Sequence, residues 1–500
     1  MNLHDVLLKR SNDIVLNDGK RSLTASEMIT QANRLGNWLH ANNIRCVGLY
    51  GDNSADWVIA DYACLYYDIA IVPLPTFFSN QQLTHAIHQS GVDCILTDQP
   101  LLIDNLDIVG YEDSKKSEQH PVLSQFSYIY PKPNKLDEAL PRIPKGTQKI
   151  TFTSGTTGSP KGVCLSSDHL LQVAQSLTKM IGIRAPRHLC ILPLSTLLEN
   201  LAGIYVPWLS DGTVFTPSLS EVGLSGSSQL DLGKLLASIE KYQPHSIILT
   251  PELLTALTAA CDLGWQAPRS LQFIAVGGGN VSKQLLVHAR KHELPVYQGY
   301  GLSECGSVVS LNTPSNNLID SVGKPLPHVK VNIRDREVIV KGSCFLGYCN
   351  EPKSWYPREV MTGDIGSLDD ADFLSINGRK KHLLISSYGR NISPEWIEAE
   401  LLAGPLLQQC VVVGDNKPYC TALILSRESQ TTDNRIQQWI NQVNSTLPDY
   451  ARIKYWHRLD QSLSAIPDLM TNNGRLKRQT IHRYFDNTIE ALYPKQENAS

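Results

Sequence analysis

The segment Thr151–Val163, which reads TFTSGTTGSPKGV, limits the fold and the chemistry of this chain more than any other feature. A strand-like run, Gln148–Phe152, leads into it, and a helix-like run follows from Ser166. The glycines free the backbone to curl, so that N–H groups, hydroxyls and one ammonium can point at a common anion. The spacing does not fit the GxxxxGK[ST] phosphate loop. We therefore expect a different strand–loop–helix unit that binds a polyanion, most simply a nucleotide triphosphate.

A flexible Ser/Gly linker is the alternative interpretation of this loop, since runs of glycine and serine are common in linkers. The strand-like residues before the loop and the sequence Pro160-Lys161-Gly162 within it favour a fixed conformation instead. The groups expected to contact the phosphates are Thr153, Ser154, Gly155, Thr156, Thr157, Gly158 and Lys161.

Helical and strand patterns alternate along most of the chain, which predicts an α/β fold. Thr24 and Glu27 have the spacing of a helix capping box. A chain of 500 residues exceeds the size at which a single core stops growing, roughly 250–300 residues, so we expect more than one domain. A helix is predicted over 57–67, and irregular connections are predicted over 111–146 and 218–228. The predicted buried strands include 46–50, 69–74, 189–192, 246–249, 271–276 and 295–297.

The composition excludes several classes of protein. The 45 basic and 48 acidic residues give a net charge of −3, so no global positive field indicates a nucleic-acid partner. The eleven cysteines form no CxxC pair, which argues against a zinc cluster. The N-terminus lacks the pattern of a signal peptide, and no run approaches about 18 uninterrupted apolar residues. We expect a cytoplasmic protein without integral membrane association.

Further motifs follow the loop in order along the chain. They are YGLSE at Tyr300–Glu304, TGD at Thr362–Asp364, GRKK at Gly378–Lys381, SSYGRNISPEWIEAEL at Ser386–Leu401 and NNGRLKR at Asn472–Arg478. Together with TFTSGTTGSPKGV, this series resembles the adenylate-forming (AMP-binding) superfamily, which includes acyl-CoA synthetases, adenylation domains of peptide synthetases and luciferases. The resemblance spans most of the chain.

The resemblance implies a large multi-sheet α/β N-terminal domain over 1–378, a hinge at 379–381 and a smaller mobile α+β domain over 382–500. It implies an AMP-forming acid–thiol ligase, acting as a monomer or homodimer. A carboxylate attacks the α-phosphate of ATP to give an acyl-adenylate and pyrophosphate, so that AMP becomes the leaving group. The thiol of coenzyme A then takes the acyl group, and Mg²⁺ accompanies the triphosphate.

The YGLSE motif implies the metal and adenine contacts. Glu304 would bind Mg²⁺, which prefers one or two carboxylates together with phosphate oxygens. Ser303, where the family usually has threonine, would offer a hydroxyl to the metal or the α-phosphate. Tyr300 would stack on adenine, next to backbone at Gly301 and Gly278. The alternative is a core tyrosine beside an ordinary Ser-Glu turn, and the glycine-rich segment that precedes the motif favours the ligand site.

The later motifs imply the ribose contacts and the moving parts. Asp364 would accept the ribose hydroxyls, although a turn aspartate is the alternative, since Gly-Asp is common in turns. Arg379 would contact ribose or phosphate. Lys381 occupies the hinge position of the family, and Gly389 the loop that lines the thiol tunnel after the small domain has swung.

The chain departs from the family pattern at two positions. Arg475 stands where a lysine normally bridges the substrate carboxylate and the α-phosphate, and a planar guanidinium is not equivalent to an ammonium. Lys477 is an alternative source of this charge. Thr196 stands where members carry an aromatic residue or histidine, which predicts a wider junction between acyl pocket and thiol tunnel. The expected pocket residues, which a plain core helix would also explain, are Leu197, Leu198, Leu201, Ile204, Trp208, Gly277 and Gly279.

The pocket segment carries few charges, and no aspartate stands where amino-acid-activating members hold an α-ammonium. A medium- to long-chain fatty acid is therefore the expected substrate. Two alternatives remain at this point. The acyl group could pass to a separate acyl or peptidyl carrier protein in trans, or the chain could be a catalytically weak nucleotide-binding protein, for which Arg475 and Thr196 are the only support.

Overall fold

The computed structural model describes residues 3–104, 106, 118–130, 143–153, 160–226, 229–388, 390–471 and 474–493, and the structural statements below concern these residues. None of the helices in these ranges is long and apolar enough to cross a membrane.

Two large sheets, each with parallel strands at its centre and antiparallel strands at its edges, build the N-terminal part of the chain. Because parallel strands need crossover connections, helices separate the central strands along the chain. The eight-stranded sheet has the order Gly347–Tyr348, Lys161–Leu165, Lys149–Thr153, Ala70–Leu74, Cys46–Tyr50, Cys94–Thr97, Ser127–Ile129 and Glu118–Gln119. The nine-stranded sheet has the order Lys324–Pro325, Ser310–Leu311, Val296–Tyr300, Phe273–Val276, Ser246–Leu249, Arg187–Leu189, Thr213–Phe215, Ile14–Asn17 and Ser22–Thr24.

Smaller sheets follow towards the C-terminus. An antiparallel four-stranded sheet is formed by Val329–Arg334, Glu337–Gly342, Glu359–Leu368 and Leu374–Arg379. The C-terminal unit has its own core around a three-stranded sheet of Leu407–Val413, Cys420–Ser426 and Ile453–Arg458. Two-residue strands pair at Leu224–Ser225 with Gln229–Leu230, and at Leu384–Ile385 with Asn391–Ile392.

Helices connect these strands and cover the sheets. In the N-terminal part they are Leu3–Lys9, Ala25–Ala41, Ala55–Tyr66, Asn80–Ser90, Pro100–Asp104, Ser167–Ile181, Leu197–Asn200, Val206–Leu209, Leu232–Tyr242, Pro251–Asp262 and Lys283–Lys291. In the C-terminal part they are Pro394–Leu402, Asp433–Thr446, Arg478–Tyr484 and Asp486–Ala491. A π-helical turn, Leu201–Tyr205, joins two of the short helices, and 3₁₀ turns occupy Ser303–Cys305, Pro352–Ser354, Asp449–Ala451 and Leu463–Ala465.

A buried polar network fastens the strand that leads into the glycine-rich loop. The Lys149 ammonium is fully buried and donates to Asp61 Oδ1 at 2.6 Å, to the side-chain oxygen of Asn200 and to the Tyr205 hydroxyl at 3.2 Å. Tyr205 and Asn200 also donate to the other oxygen of Asp61, at 2.6 and 2.9 Å. A buried charge is tolerated only when it is paired and hydrogen-bonded, and this network meets both conditions.

Several local expectations from sequence hold, but the strand predicted over 189–192 lies at Arg187–Leu189 instead. The capping box is confirmed, because the Glu27 N–H donates to Thr24 Oγ1 at 3.3 Å and the Thr24 N–H donates to Glu27 Oε2 at 2.8 Å. Strands occur at Cys46–Tyr50 and Ser246–Leu249 as predicted. The helix predicted from 57 begins earlier, at Ala55, because the Ser54 hydroxyl accepts from the Trp57 N–H and caps the helix there.

Two predicted irregular segments contain short strands. Within 111–146, Ser127–Ile129 pairs with Cys94–Thr97 and with Glu118–Gln119, extending the edge of the eight-stranded sheet. Within 218–228, Leu224–Ser225 is a strand rather than loop. Polar edge strands of two or three residues carry too little hydrophobic pattern to be recognised from sequence.

Candidate active site

Strand pairing fixes the two ends of the glycine-rich loop. Lys149–Thr153 and Lys161–Leu165 form an antiparallel pair in which Thr153 lies opposite Lys161. The predicted phosphate contacts at Ser154, Gly155, Thr156, Thr157 and Gly158 lie outside the described residues. Lys161 Nζ lies 2.8 Å from Glu351 Oε1, and both side chains are nearly half exposed. Such an exposed pair contributes about 0–1 kcal/mol, so a phosphate can replace Glu351 at little cost.

Tyr348 joins this lysine to the predicted metal ligand. Its hydroxyl donates to Glu304 Oε1 at 2.8 Å, and Lys161 Nζ lies 4.8 Å from the centre of its ring. Burial, followed by the charge of Glu304, raises the pKa of Tyr348, so the phenol remains a hydrogen-bond donor. Sequence reasoning missed Tyr348, because only the pairing of Gly347–Tyr348 with the strand after the loop brings it here.

The side-chain oxygens of Glu304 and Ser303 are ligands of the kind that Mg²⁺ prefers. The oxygens of Glu304 and Ser303 lie at the start of one 3₁₀ turn, Ser303–Cys305, and hard cations prefer oxygen ligands. The turn is held against the segment that leads into the edge strand Gly347–Tyr348, since the Phe345 N–H donates to the Glu304 carbonyl at 2.7 Å.

Asp364, Tyr300 and Arg379 form a second cluster, and the structure brings these three predicted residues together. The Tyr300 hydroxyl donates to Asp364 Oδ2 at 2.6 Å, and Arg379 Nε lies 2.7 Å from Oδ1. The antiparallel register places Asp364 opposite Arg379. Asp364 is only 3% exposed, and its N–H donates to Thr362 Oγ1 at 3.1 Å. Both carboxylate oxygens are therefore held in a fixed orientation.

The electrostatics of Asp364 reflect its burial. Removal from water raises its pKa, and the opposing effects of the Arg379 charge and the Tyr300 hydrogen bond offset only part of that rise. Negative charge at Glu395 and Glu304 adds to the rise.

Glycine is required where the backbone crowds this cluster. A Cβ on Gly301 would lie 1.8 Å from the Ser307 carbonyl oxygen, so no other residue fits. Gly278 has φ +81°, a conformation that glycine adopts without strain. Gly277, Gly278 and Gly279 directly follow the strand Phe273–Val276, at its carboxyl end, where ligands bind in parallel sheets.

The NNGRLKR segment turns back sharply and carries Arg475 into the neighbourhood of Arg379. The Thr471 N–H donates to the Arg475 carbonyl at 2.7 Å, and the Arg475 N–H donates to Thr471 Oγ1 at 3.0 Å. The Arg475 side chain keeps contact with water. Partial desolvation and then the positive charge of Arg379 lower its pKa. An anion that binds the Arg475 guanidinium would relieve this repulsion between like charges.

Lys477 takes no part in this arrangement. Its ammonium lies 3.2 Å from Asp468 Oδ1. The next residue, Arg478, donates to both oxygens of Glu398, at 2.9 and 2.5 Å, and so fastens the segment to the helix Pro394–Leu402. Of the two cations considered from sequence, Arg475 is the one beside the Arg379–Asp364 pair.

The predicted hinge lies between these clusters. Lys381 is exposed, whereas its neighbour Lys380 lies 3.0 Å from Glu337 Oε2 in the large domain. Gly389 lies outside the described residues, and the adjoining Tyr388 is 78% exposed. In this conformation the small domain turns the Arg475 segment, and not Tyr388, towards the cluster at Asp364.

The segment with the predicted acyl pocket is more polar inside than its sequence indicates. Glu199 is fully buried, where its Oε1 lies 3.0 Å from His188 Nε2 and its Oε2 accepts from the Leu192 N–H at 3.2 Å. Thr196 is half-buried and donates to the Pro193 carbonyl. Sequence reasoning missed this anchor, which fixes the turn that Thr196 occupies.

The predicted pocket residues divide into two sets. Leu201, Ile204 and Trp208 are fully buried in the largest core, and Leu197 is 6% exposed, so their role as pocket lining stays a prediction. Leu198 is partly exposed and packs against both of the large core clusters, as do Ala202 and Ala275, which were not predicted as pocket residues; these three mark the boundary between the clusters.

Comparisons with known proteins identify the family of the chain. The profile of the AMP-binding enzyme family matches residues 4–342, and that of the AMP-binding enzyme C-terminal domain matches residues 381–497. A 2-succinylbenzoate–CoA ligase of Staphylococcus epidermidis is 25% identical over 495 residues, covering 96% of each chain. A long-chain-fatty-acid–CoA ligase, FadD15 of Mycobacterium bovis, is 27% identical over 432 residues, covering 69% of each chain.

Solved structures share the fold. The crystal structure of the anthranilate CoA ligase AuaEII in complex with anthranoyl-AMP superposes with a TM-score of 0.81 over 98% of each chain, at 20% identity. The predicted α/β fold class, with a large N-terminal and a smaller C-terminal domain, is thereby confirmed. Since the first family profile alone covers more than half of the sequence, the chain belongs to the AMP-binding enzyme family.

Proposed function

We propose that this enzyme uses ATP to activate a carboxylic acid as an acyl-adenylate and then transfers the acyl group to the thiol of coenzyme A. The observation that carries the proposal is the cluster in which the buried Asp364 meets Tyr300 and Arg379, with the positive charge of Arg379 acting on Arg475. A carboxylate for ribose and two cations for phosphate and acid then meet at one place, and a nucleotide-binding protein without catalysis has no need of the second cation.

The first step requires that the acid and the α-phosphate lie in line. Asp364 would hold the ribose hydroxyls, and Tyr300 would present its ring to adenine. Lys161 and the loop after Thr153 would hold the outer phosphates. Mg²⁺, held by Glu304 with Ser303 nearby, would neutralise charge on the phosphate oxygens when bound. Tyr348 keeps the Glu304 carboxylate oriented.

Arg475 would bridge the substrate carboxylate and the α-phosphate. Its guanidinium has a planar fork of N–H donors, which can donate to one carboxylate oxygen and one phosphate oxygen at the same time. A lysine ammonium would instead act on both groups as a point charge. The carboxylate oxygen bonds to the α-phosphorus while the bond to pyrophosphate breaks, and the developing negative charge lies between Arg475 and Arg379.

The second step is the attack of a thiol on the acyl-adenylate, with AMP leaving. The proposed hinge at Lys381 would let the small domain withdraw the Arg475 turn and bring the loop at Gly389 to the site. Coenzyme A is the favoured acceptor, because relatives that cover most of the chain are CoA ligases.

An acid with an apolar body is the proposed substrate class, and a medium- to long-chain fatty acid is the leading member. The boundary between the two cores carries aliphatic side chains at Leu198, Ala202 and Ala275. Between residues 192 and 204 the only charged side chain is Glu199, and its carboxylate is already satisfied by His188 and the Leu192 N–H. A second carboxylate on the substrate would find no cation in this segment, which disfavours a dicarboxylic acid.

The test is a panel of acids incubated with ATP, Mg²⁺ and coenzyme A, with products identified by mass spectrometry. The panel contains short, medium and long fatty acids, benzoate, anthranilate and 2-succinylbenzoate. We expect AMP and an acyl-CoA with fatty acids. Thioester on an added carrier protein, without acyl-CoA, would favour the carrier alternative. ATP binding without AMP formation across the panel would contradict the proposal and favour a catalytically weak nucleotide-binding protein.

A further inference from the structure

Two histidines and an aspartate, none of them among the candidate active-site residues, converge on one point of the surface. His288 Nε2 lies 2.9 Å from Asp262 Oδ1, and His292 Nε2 lies 2.8 Å from the same oxygen. The two imidazole rings are 5.2 Å apart, centre to centre. The three potential ligand atoms all lie within 4.8 Å of one another.

Local structure explains this convergence. His288 lies in the last turn of the helix Lys283–Lys291, and His292 caps its C-terminus four residues later, so both side chains share one face. Asp262 is the last residue of the helix Pro251–Asp262, which packs against the helix Lys283–Lys291. Each helix therefore contributes ligands through its own geometry, and no loop has to be ordered to complete the set.

Two imidazole nitrogens and one carboxylate suit a divalent ion of intermediate softness, such as Zn²⁺, rather than the hard ion Mg²⁺. Imidazole nitrogen is a good ligand for Zn²⁺, whereas Mg²⁺ prefers oxygen. At ordinary Zn–N and Zn–O distances of about 2.0–2.2 Å, tetrahedral ligands lie roughly 3.3–3.5 Å apart. The two His–Asp spacings of 2.8 and 2.9 Å require these ligands to separate by a few tenths of an ångström, and the two Nε2 atoms, which lie within 4.8 Å of each other, have to reach a similar distance. Each of the three side chains is between 28% and 47% exposed, so this adjustment meets little resistance.

We propose that Asp262, His288 and His292 form a binding site for a Zn²⁺-class divalent ion, with water in the remaining position. The ion replaces the two hydrogen bonds to Asp262 Oδ1, and each neutral imidazole carries its single proton on Nδ1, so that the Nε2 lone pair binds the ion. Bound there, it links the helices Pro251–Asp262 and Lys283–Lys291. These helices adjoin the parallel strands that lead to Gly277 and Tyr300, so the ion stabilises the part of the large domain that carries the proposed adenine contacts.

The chain offers a matched control. His482 and Asp486 are also a helical pair on the surface, with Nδ1 and Oδ1 3.9 Å apart. That pair has one imidazole and one carboxylate but lacks a second imidazole. Its variant His482→Ala removes a surface histidine of similar exposure without touching the proposed site.

The experiment is a Zn²⁺ titration of the untagged, chelator-treated full chain by equilibrium dialysis, together with thermal unfolding. We expect one site that raises the unfolding temperature, because an ion bound only by the folded state stabilises it. His288→Ala and His292→Gln should each weaken Zn²⁺ binding by about 100-fold or more, since even changes beside a ligand cost 10–100-fold. His482→Ala should match the wild type.

Two results would overturn the site. One is stoichiometric Zn²⁺ binding of unchanged affinity in the double variant His288→Ala/His292→Gln. The other is wild-type protein that binds no Zn²⁺. Zn-edge X-ray absorption of the loaded wild type should show two imidazole ligands, and thiolate scattering there would assign the ion to cysteine instead.

Discussion

Replacing Arg475 by alanine tests which cation completes the first half-reaction. The side chain is solvent-exposed at a turn whose hydrogen bonds are made by its backbone and by Thr471, so truncation leaves the fold intact. Its loss removes one charged donor from the position where negative charge develops. Removing such a donor costs about 2.7–4 kcal/mol, or about 10²–10³-fold in rate. We expect that loss in acid-dependent ATP–pyrophosphate exchange.

Matched variants sharpen this measurement. Arg475→Lys keeps the charge but loses the forked geometry, and should retain more activity than Arg475→Ala. Lys477→Ala should change exchange by less than about threefold, since the Lys477 ammonium pairs with Asp468 on the surface and such substitutions stay within about 0.5 kcal/mol. The unfolding temperature should be unchanged in all three. Exchange at the wild-type rate in Arg475→Ala, or a larger loss in Lys477→Ala, would refute the assignment.

Three further changes probe the supports of the site. Lys149→Met leaves the Asp61 carboxylate buried without its cation and should lower the free energy of unfolding by about 3–5 kcal/mol in denaturant titration; a loss below about 1 kcal/mol would contradict the network. Tyr348→Phe removes the hydrogen bond to Glu304 and should raise the Mg²⁺ concentration needed for half-maximal exchange, with ATP affinity in chelator unchanged; an unaltered Mg²⁺ dependence would contradict this role. His169 is buried and neutral, and burial lowers its pKa from 6.5 to about 4. As the pH falls, this histidine therefore takes up a proton in the unfolded chain before it does so in the folded protein. The free energy of unfolding should decrease between pH 6.5 and pH 4, by roughly 3 kcal/mol for this residue. The variant His169→Gln should flatten that acid limb in unfolding measurements, and a limb of unchanged slope would contradict it.

Sequence predicted the parts of this structure that depend on neighbouring residues. Thr24 and Glu27 form the capping box within one turn, and each needs only the other. The family resemblance implied that the motifs at Tyr300 and Asp364 share one site; the structure brings the two residues into contact, and their role in binding a nucleotide stays a prediction.

Contacts between distant segments could not be predicted in this way. Lys149 reads as an ordinary surface lysine in a strand, yet its partners Asp61 and Asn200 come from 88 and 51 residues away. Tyr348 reaches Glu304 across 44 residues, through the register of an edge strand. A buried charge becomes visible in sequence only once its partner is known, since lysine alone favours the surface.

The first half-reaction can be tested directly by following an oxygen atom. With a substrate acid from the panel labelled with ¹⁸O in its carboxylate, attack on the α-phosphate places one labelled oxygen in the AMP after the thiol has displaced it. The account predicts AMP carrying one ¹⁸O, found by mass spectrometry only when acid, ATP and coenzyme A are all present. Unlabelled AMP, or ADP as the nucleotide product, would contradict the acyl-adenylate and with it the role of Arg475.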